Sequence, residues 1–181
     1  MLIFACVTQP NDHVDPQISC RGSPLWYNPV DSTKLPVSRD LRLNRTELQQ
    51  LSSERIEDTQ ALLAASRWPG AYYLAGYSLE CALKSCVLAY VERTGIIFQD
   101  RKFAEKCWTH DLEELVKRAD LTAERDKAAG TIPDLGKNWL IAKDWTEASR
   151  YKMSTQLQAE RLFNAINHNT DGVLQWVKTF W

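Results

Sequence analysis

Apolar residues recur at helical spacing along most of the chain beyond position 43, and the clearest stretch is 71–88, AYYLAGYSLECALKSCVL. Tyr72, Gly76, Leu79, Leu83, Cys86, Val87 and Tyr90 step by threes and fours, the pattern of a helix face turned to a core. A second face carries Tyr73, Tyr77, Glu80, Lys84 and Leu88. Between the two runs a seam of small residues, Ala75, Ser78, Ala82, Ser85 and Ala89, along which a neighbouring backbone can approach closely. A helix that is apolar or small nearly all round belongs in the middle of a bundle. Glu80 and Lys84 stand out there, because charges are seldom buried unless paired, and their i, i+4 order lets them pair with each other. They read either as a structural ion pair or as part of a polar site at a bundle interface.

The flanking segments follow the same rules. Asn44 and Glu47 form a capping-box pattern with Leu43 and Leu48 as a staple, so the first helix starts near Arg45. It runs through Leu51, Ile56, Leu62 and Leu63, and Trp68-Pro69-Gly70 is expected to end it and to turn the central helix back antiparallel. Gly95 is placed to cap the end of that helix. A loop is expected from Ile96 to Trp108. Thr109-His110-Asp111-Leu112 then opens a short helix whose buried stripe is Leu112, Leu115, Val116 and Ala119. Further helical stretches cover 123–129 and 135–143, and 143–153 reads as a loop carrying Trp145, Arg150 and Tyr151. Thr155 with Gln158 caps a long last helix that points Leu162, Phe163, Ile166, Val173, Leu174 and Val177 inward, with a polar interruption at 168–172. No segment alternates like a strand. The class is all-α, an antiparallel bundle of four to five helices over 44–181.

Residues 1–43 differ. Five of the seven prolines lie here (Pro10, Pro16, Pro24, Pro29 and Pro36), and no period emerges, so this reads as an extended or disordered N-terminal arm that Trp26 and Tyr27 pin to the domain. The charge balance, 22 Lys+Arg against 23 Asp+Glu, gives no global pull towards nucleic acid or an anionic membrane, and any phosphate binding must be local. Five cysteines without CxxC or Cys/His metal spacing point to a reducing cytoplasm and to no metal or other cofactor. The apolar run 2–7 is too short for a signal peptide or a membrane span.

The order AYYLAGYSLECALK, then THDLEEL, then a Trp a few residues before Arg150-Tyr151, then a final amphipathic helix resembles the bacterial HEPN domain. The resemblance covers 44–181 and rests on GY-x-x-E-x-x-L-K together with HDL and RY. It implies a helical bundle that commonly forms homodimers, in toxin–antitoxin, RNA-processing or phage-defence settings, with a minimal nucleotidyltransferase as a possible partner. Many HEPN proteins also carry an Arg followed after four to six residues by His, which cleaves RNA without metal. That chemistry needs a cation on the pentacovalent phosphate and an imidazole to move protons. No His follows Arg150 within that range, and the RY element instead resembles the variant credited with binding nucleotides or other anions.

The expected site therefore gathers Tyr77, Glu80, Lys84, Arg150 and Tyr151. Arg150 would hold a phosphate or carboxylate, Lys84 would add charge, and Glu80 would orient Arg150. The alternative is a metal-independent ribonuclease toxin using Arg161 and His168, whose Cα atoms would lie about 10.5 Å apart on one helix. A second alternative is a purely structural dimer in which the Glu80–Lys84 pair only fixes helix register. His110 reads as decoration at a helix start, and Trp145 as covering the end of the core.

Overall fold

The computed structural model describes residues 43–96 and 100–181, so the expected N-terminal arm lies outside the described residues. Its helices are α1 (Arg45–Ala64), α2 (Trp68–Thr94), α3 (Arg101–Lys106), α4 (Leu112–Arg118), α5 (Thr122–Thr131), α6 (Leu135–Ala142), a 3₁₀ turn (Glu147–Tyr151), α7 (Gln156–Asn167) and α8 (Val173–Val177). Among the described residues there is no strand, and the fold is all-α.

The local signals act as expected at most ends. Asn44 Oδ1 accepts from the Glu47 N–H while the Glu47 carboxylate accepts from the Asn44 N–H, closing the capping box of α1. Thr155 and Gln158 do the same for α7. Gly95 caps α2 with φ of 66°, in the left-handed region that glycine enters without a Cβ penalty. Asp111 caps α4 by accepting from the Glu114 N–H.

Two expectations need correction. Trp68-Pro69-Gly70 does not end α1 but begins α2, because proline in a first turn lacks only an N–H that would be unpaired there anyway. The stop is Ser66, held at φ of 58°: the Arg67 N–H donates to the Leu62 carbonyl and the Ser66 N–H to that of Leu63, the double bond of a Schellman turn built without glycine. The expected loop 96–108 contains α3, six residues capped by Asp100 and anchored by Phe103, which is buried and lies 6.1 Å from the Tyr90 ring. A single buried residue in six leaves no period to read.

The central role of α2 stands. It packs against α1, α4, α7, α8 and the 3₁₀ turn. With 27 residues and a hydropathy of 1.2 it is long and apolar enough to cross a membrane, yet 61% of that apolar window is buried inside the fold. The antiparallel register of α1 and α2 is marked by the ion pair Arg45–Glu92 at 3.3 Å. Seven residues in from each end of that pair come Ser52 and Ser85, and seven further Thr59 and Ser78, all four fully buried. Small side chains at heptad spacing on both helices let the two backbones close up. On another side of α2, Trp145 lies over Gly76: a Cβ there would sit 2.3 Å from three atoms of the indole. Trp145 is 1% exposed, so the segment after α6 is an anchored element whose ring joins the core. The polar break in the last helix separates α7 from α8.

Candidate functional site

Glu80 sits in the fourth turn of α2 and is 1% exposed, although nearly every neighbour on its helix is apolar or small. A buried carboxylate needs partners, and Glu80 has two on one oxygen. Lys84 Nζ lies 2.8 Å from Oε1, one helical turn away, as the spacing predicts. His110 Nδ1 lies 2.9 Å from the same oxygen. Oε2 is buried and has no hydrogen-bond partner among the described residues.

The contacts continue outward. His110 Nε2 lies 3.1 Å from Glu147 Oε2. The other Glu147 oxygen accepts from Arg150 Nη2, one 3₁₀ turn on. The Arg150 guanidinium in turn stands 4.9 Å from the centre of the Tyr151 ring. A chain of charge thus leads from the buried middle of α2, through His110, to an arginine and an 81% exposed tyrosine at the surface. Burial works against the Arg150 cation, but the Glu147 carboxylate, with the Tyr151 and Tyr73 hydroxyls adding, holds it above its usual value.

Tyr77 stacks on Tyr73 with ring centres 5.9 Å apart, and Tyr73 reaches Trp145 at 6.2 Å. Burial, then the neighbouring Cys81 and Glu80, raise the Tyr77 hydroxyl above its ordinary value, against a smaller opposing pull from Arg55. Tyr77 therefore stays a neutral hydroxyl beside the acid at physiological pH.

The expected members come together through intermediaries that sequence reasoning set aside. The partner that orients Arg150 is Glu147, and Glu80 acts on it only through His110. His110, read as decoration at a helix start, is the hinge of the arrangement. One signal was available: Glu147 and Arg150 are three residues apart, the spacing of neighbours on a turn. The placement of His110 against Glu80, thirty residues away, has no local signal.

Arg161 and His168 lie elsewhere. His168 ends α7 as its C-cap, with Nδ1 3.6 Å from Asp171 Oδ2 and 3.3 Å from Thr170 Oγ1. The two residues line one open hollow of about 440 Å³ together with Asp134, Lys137 and Asn138. Lys137 donates to Asp134 at 2.5 Å and holds that carboxyl below its usual value. No grouping of three or more His, Cys, Asp or Glu residues suited to a metal ion occurs among the described residues.

Comparisons of the chain with protein-family models, with curated proteins and with solved structures return no match. The functional reading therefore rests on the site itself.

Proposed function

We propose that the chain is a HEPN-type binding and assembly module whose surface arginine, Arg150, receives a phosphate or carboxylate from a nucleotide or a partner. The observation that carries this reading is the buried Glu80 carboxylate, paired with Lys84 and linked through His110 to a charged turn at the surface. A buried charge that served only to stabilise would be weakly motivated, since apolar side chains of similar volume usually do as well. Here the charge runs outward and ends on a guanidinium stacked beside an exposed ring, an arrangement suited to a planar base and its phosphate. The setting that fits is a cytoplasmic toxin–antitoxin, RNA-related or defence system, with a nucleotidyltransferase as the assembling partner. Exposed apolar side chains Leu140, Met153 and Leu157, on α6, before α7 and on α7, support assembly as a homodimer. Replacement of Arg150 by alanine is expected to weaken nucleotide binding at least tenfold in a calorimetric titration; unchanged binding rejects the reading.

A second reading, ribonuclease action by Arg161 and His168, is favoured by one observation, their shared hollow with Lys137. RNA cleavage in EDTA that disappears in His168→Ala would establish it. Intact RNA at all protein concentrations would remove it.

A further inference from the structure

The bridge between Glu80, His110 and Glu147 has a proton count that its geometry dictates. Carboxylate oxygens stand 2.9 Å from Nδ1 and 3.1 Å from Nε2 of one ring. A neutral imidazole carries one N–H and ionised carboxylates carry none, so two close contacts at opposite ring nitrogens need one proton more than that set holds. Without it, one contact sets lone pair against lone pair and opens.

We infer that Glu80, His110 and Glu147 share one titratable proton, and that its presence frees Arg150 to hold an anion, so that anions bind more tightly at lower pH. With the proton in place, the negative charge of Glu147 is divided between the ring and Arg150. When the proton leaves, Glu147 is left to Arg150 alone and competes with any incoming anion. His110 is thus a positioning residue, acting on the anion through Glu147. This inference rests on the anion-site reading above.

The charged groups facing the ring are accounted for on every side. From α2 come Glu80 and Lys84, the ring and the Lys84 ammonium meeting the same Glu80 oxygen. From the 3₁₀ turn come Glu147 and, behind it, Arg150. The start of α4 adds Asp111 and Glu113, and the end of α6 adds Lys143, all three lining an open hollow of about 460 Å³ beside the ring. Lys143 is drawn towards Glu113, at 3.9 Å, which leaves the two bridging carboxylates as the groups in contact with the imidazole. The His110 side chain is 44% exposed, so the shared proton exchanges with solvent. By contrast Glu80 is sealed, and its charge cannot be relieved by water.

The test uses the full chain, ¹⁵N-labelled at histidine and arginine, with sulfate as the probe because its charge is constant across the relevant pH range. Below the titration of the bridge, both His110 ring nitrogens should show the signature of protonated nitrogen. As pH rises through it, sulfate affinity read at the Arg150 side-chain resonance should fall, by about thirty- to a thousandfold for a dianion and one new charge roughly 8 Å away at an effective dielectric of about 20–40. His110→Gln should bind sulfate without this pH dependence. Should that variant fail to fold, Glu147→Gln, at a turn near the surface, should bind sulfate more tightly than the native chain with most of the pH dependence gone. Ring nitrogens that remain in one neutral tautomer at every pH overturn the inference, whatever sulfate does. Ring nitrogens that titrate as expected while sulfate never moves Arg150 overturn the anion site, and with it the control, but leave the shared proton in place.

Discussion

Adding one methyl group at Gly76 should damage both the core and the site. The new Cβ would stand 2.3 Å from Cγ, Cδ1 and Cδ2 of Trp145, against an ordinary contact of 3.4–4 Å, so the ring must move by about an ångström. It has little room, being 1% exposed and packed in the core. Overfilling a packed core costs about 1–3 kcal/mol, and full expulsion of a Trp ring costs about 3–5 kcal/mol. Three atoms of a rigid bicycle at 2.3 Å place this case towards expulsion. Alanine regains about 1 kcal/mol as the better helix former. The net expectation for Gly76→Ala is a loss of about 2–4 kcal/mol, or roughly 6–12 °C in Tm for a domain of this size. Urea and thermal unfolding followed by circular dichroism measure it. The sharper test is a double-mutant cycle: in a Trp145→Ala background, where the ring is gone, Gly76→Ala should turn from destabilising to stabilising, by about 0.5–1 kcal/mol. A native-background variant as stable as the parent, or more so, would refute the contact. The same ring lies two residues before Glu147, so its displacement should also weaken anion binding at Arg150.

Other outcomes follow from single groups. Ser66→Gly should stabilise the chain by about 1 kcal/mol in urea unfolding, because Ser66 holds a left-handed conformation that glycine adopts without strain. Asn44→Ala should cost about 1 kcal/mol through loss of the capping box, visible as fraying of α1 in amide exchange. Glu80→Gln removes the charge that pairs Lys84 and His110 and should cost about 1–3 kcal/mol, while Lys84→Met should cost more, about 3–5 kcal/mol, because it leaves the Glu80 carboxylate, 1% exposed, without its cation, whereas the Lys84 side chain left by Glu80→Gln is 23% exposed and reaches water. Burial, with the Glu80 carboxylate adding, pushes the Cys81 thiol from 9.0 up to about 12, and burial does the same to Cys86. The unfolded chain releases these protons first, so the native state binds more protons above pH 9. Stability from these groups is complete below about pH 9 and should fall by about 1.4 kcal/mol per pH unit per thiol as pH rises towards 12, a loss that Cys81→Ala/Cys86→Ala should abolish.

The elements legible in the sequence are those whose signals are local. The box at Asn44 and Glu47, Gly95 after α2 and the pair Thr155–Gln158 each satisfy backbone groups within a turn, and each forms. The apolar face of α2 is read correctly because Leu79, Leu83, Cys86 and Val87 repeat at helical period and are buried. The Glu80–Lys84 pair is also legible, being one turn long. What escapes is set by tertiary placement. Gly76 looks like one more small member of an apolar stripe until Trp145 is seen lying on it. His110 looks like decoration at a helix start because its partners, Glu80 and Glu147, come from two distant segments. Ser66 gives no sign in its type that it takes a conformation usually left to glycine.

The proposed anion-holding role of Arg150 is open to direct measurement. Calorimetric titration of a nucleoside monophosphate into the native chain, Arg150→Ala and Arg161→Ala compares the two candidate cations directly. Binding that falls at least tenfold in Arg150→Ala and is unchanged in Arg161→Ala is the predicted result; binding retained in Arg150→Ala would contradict it.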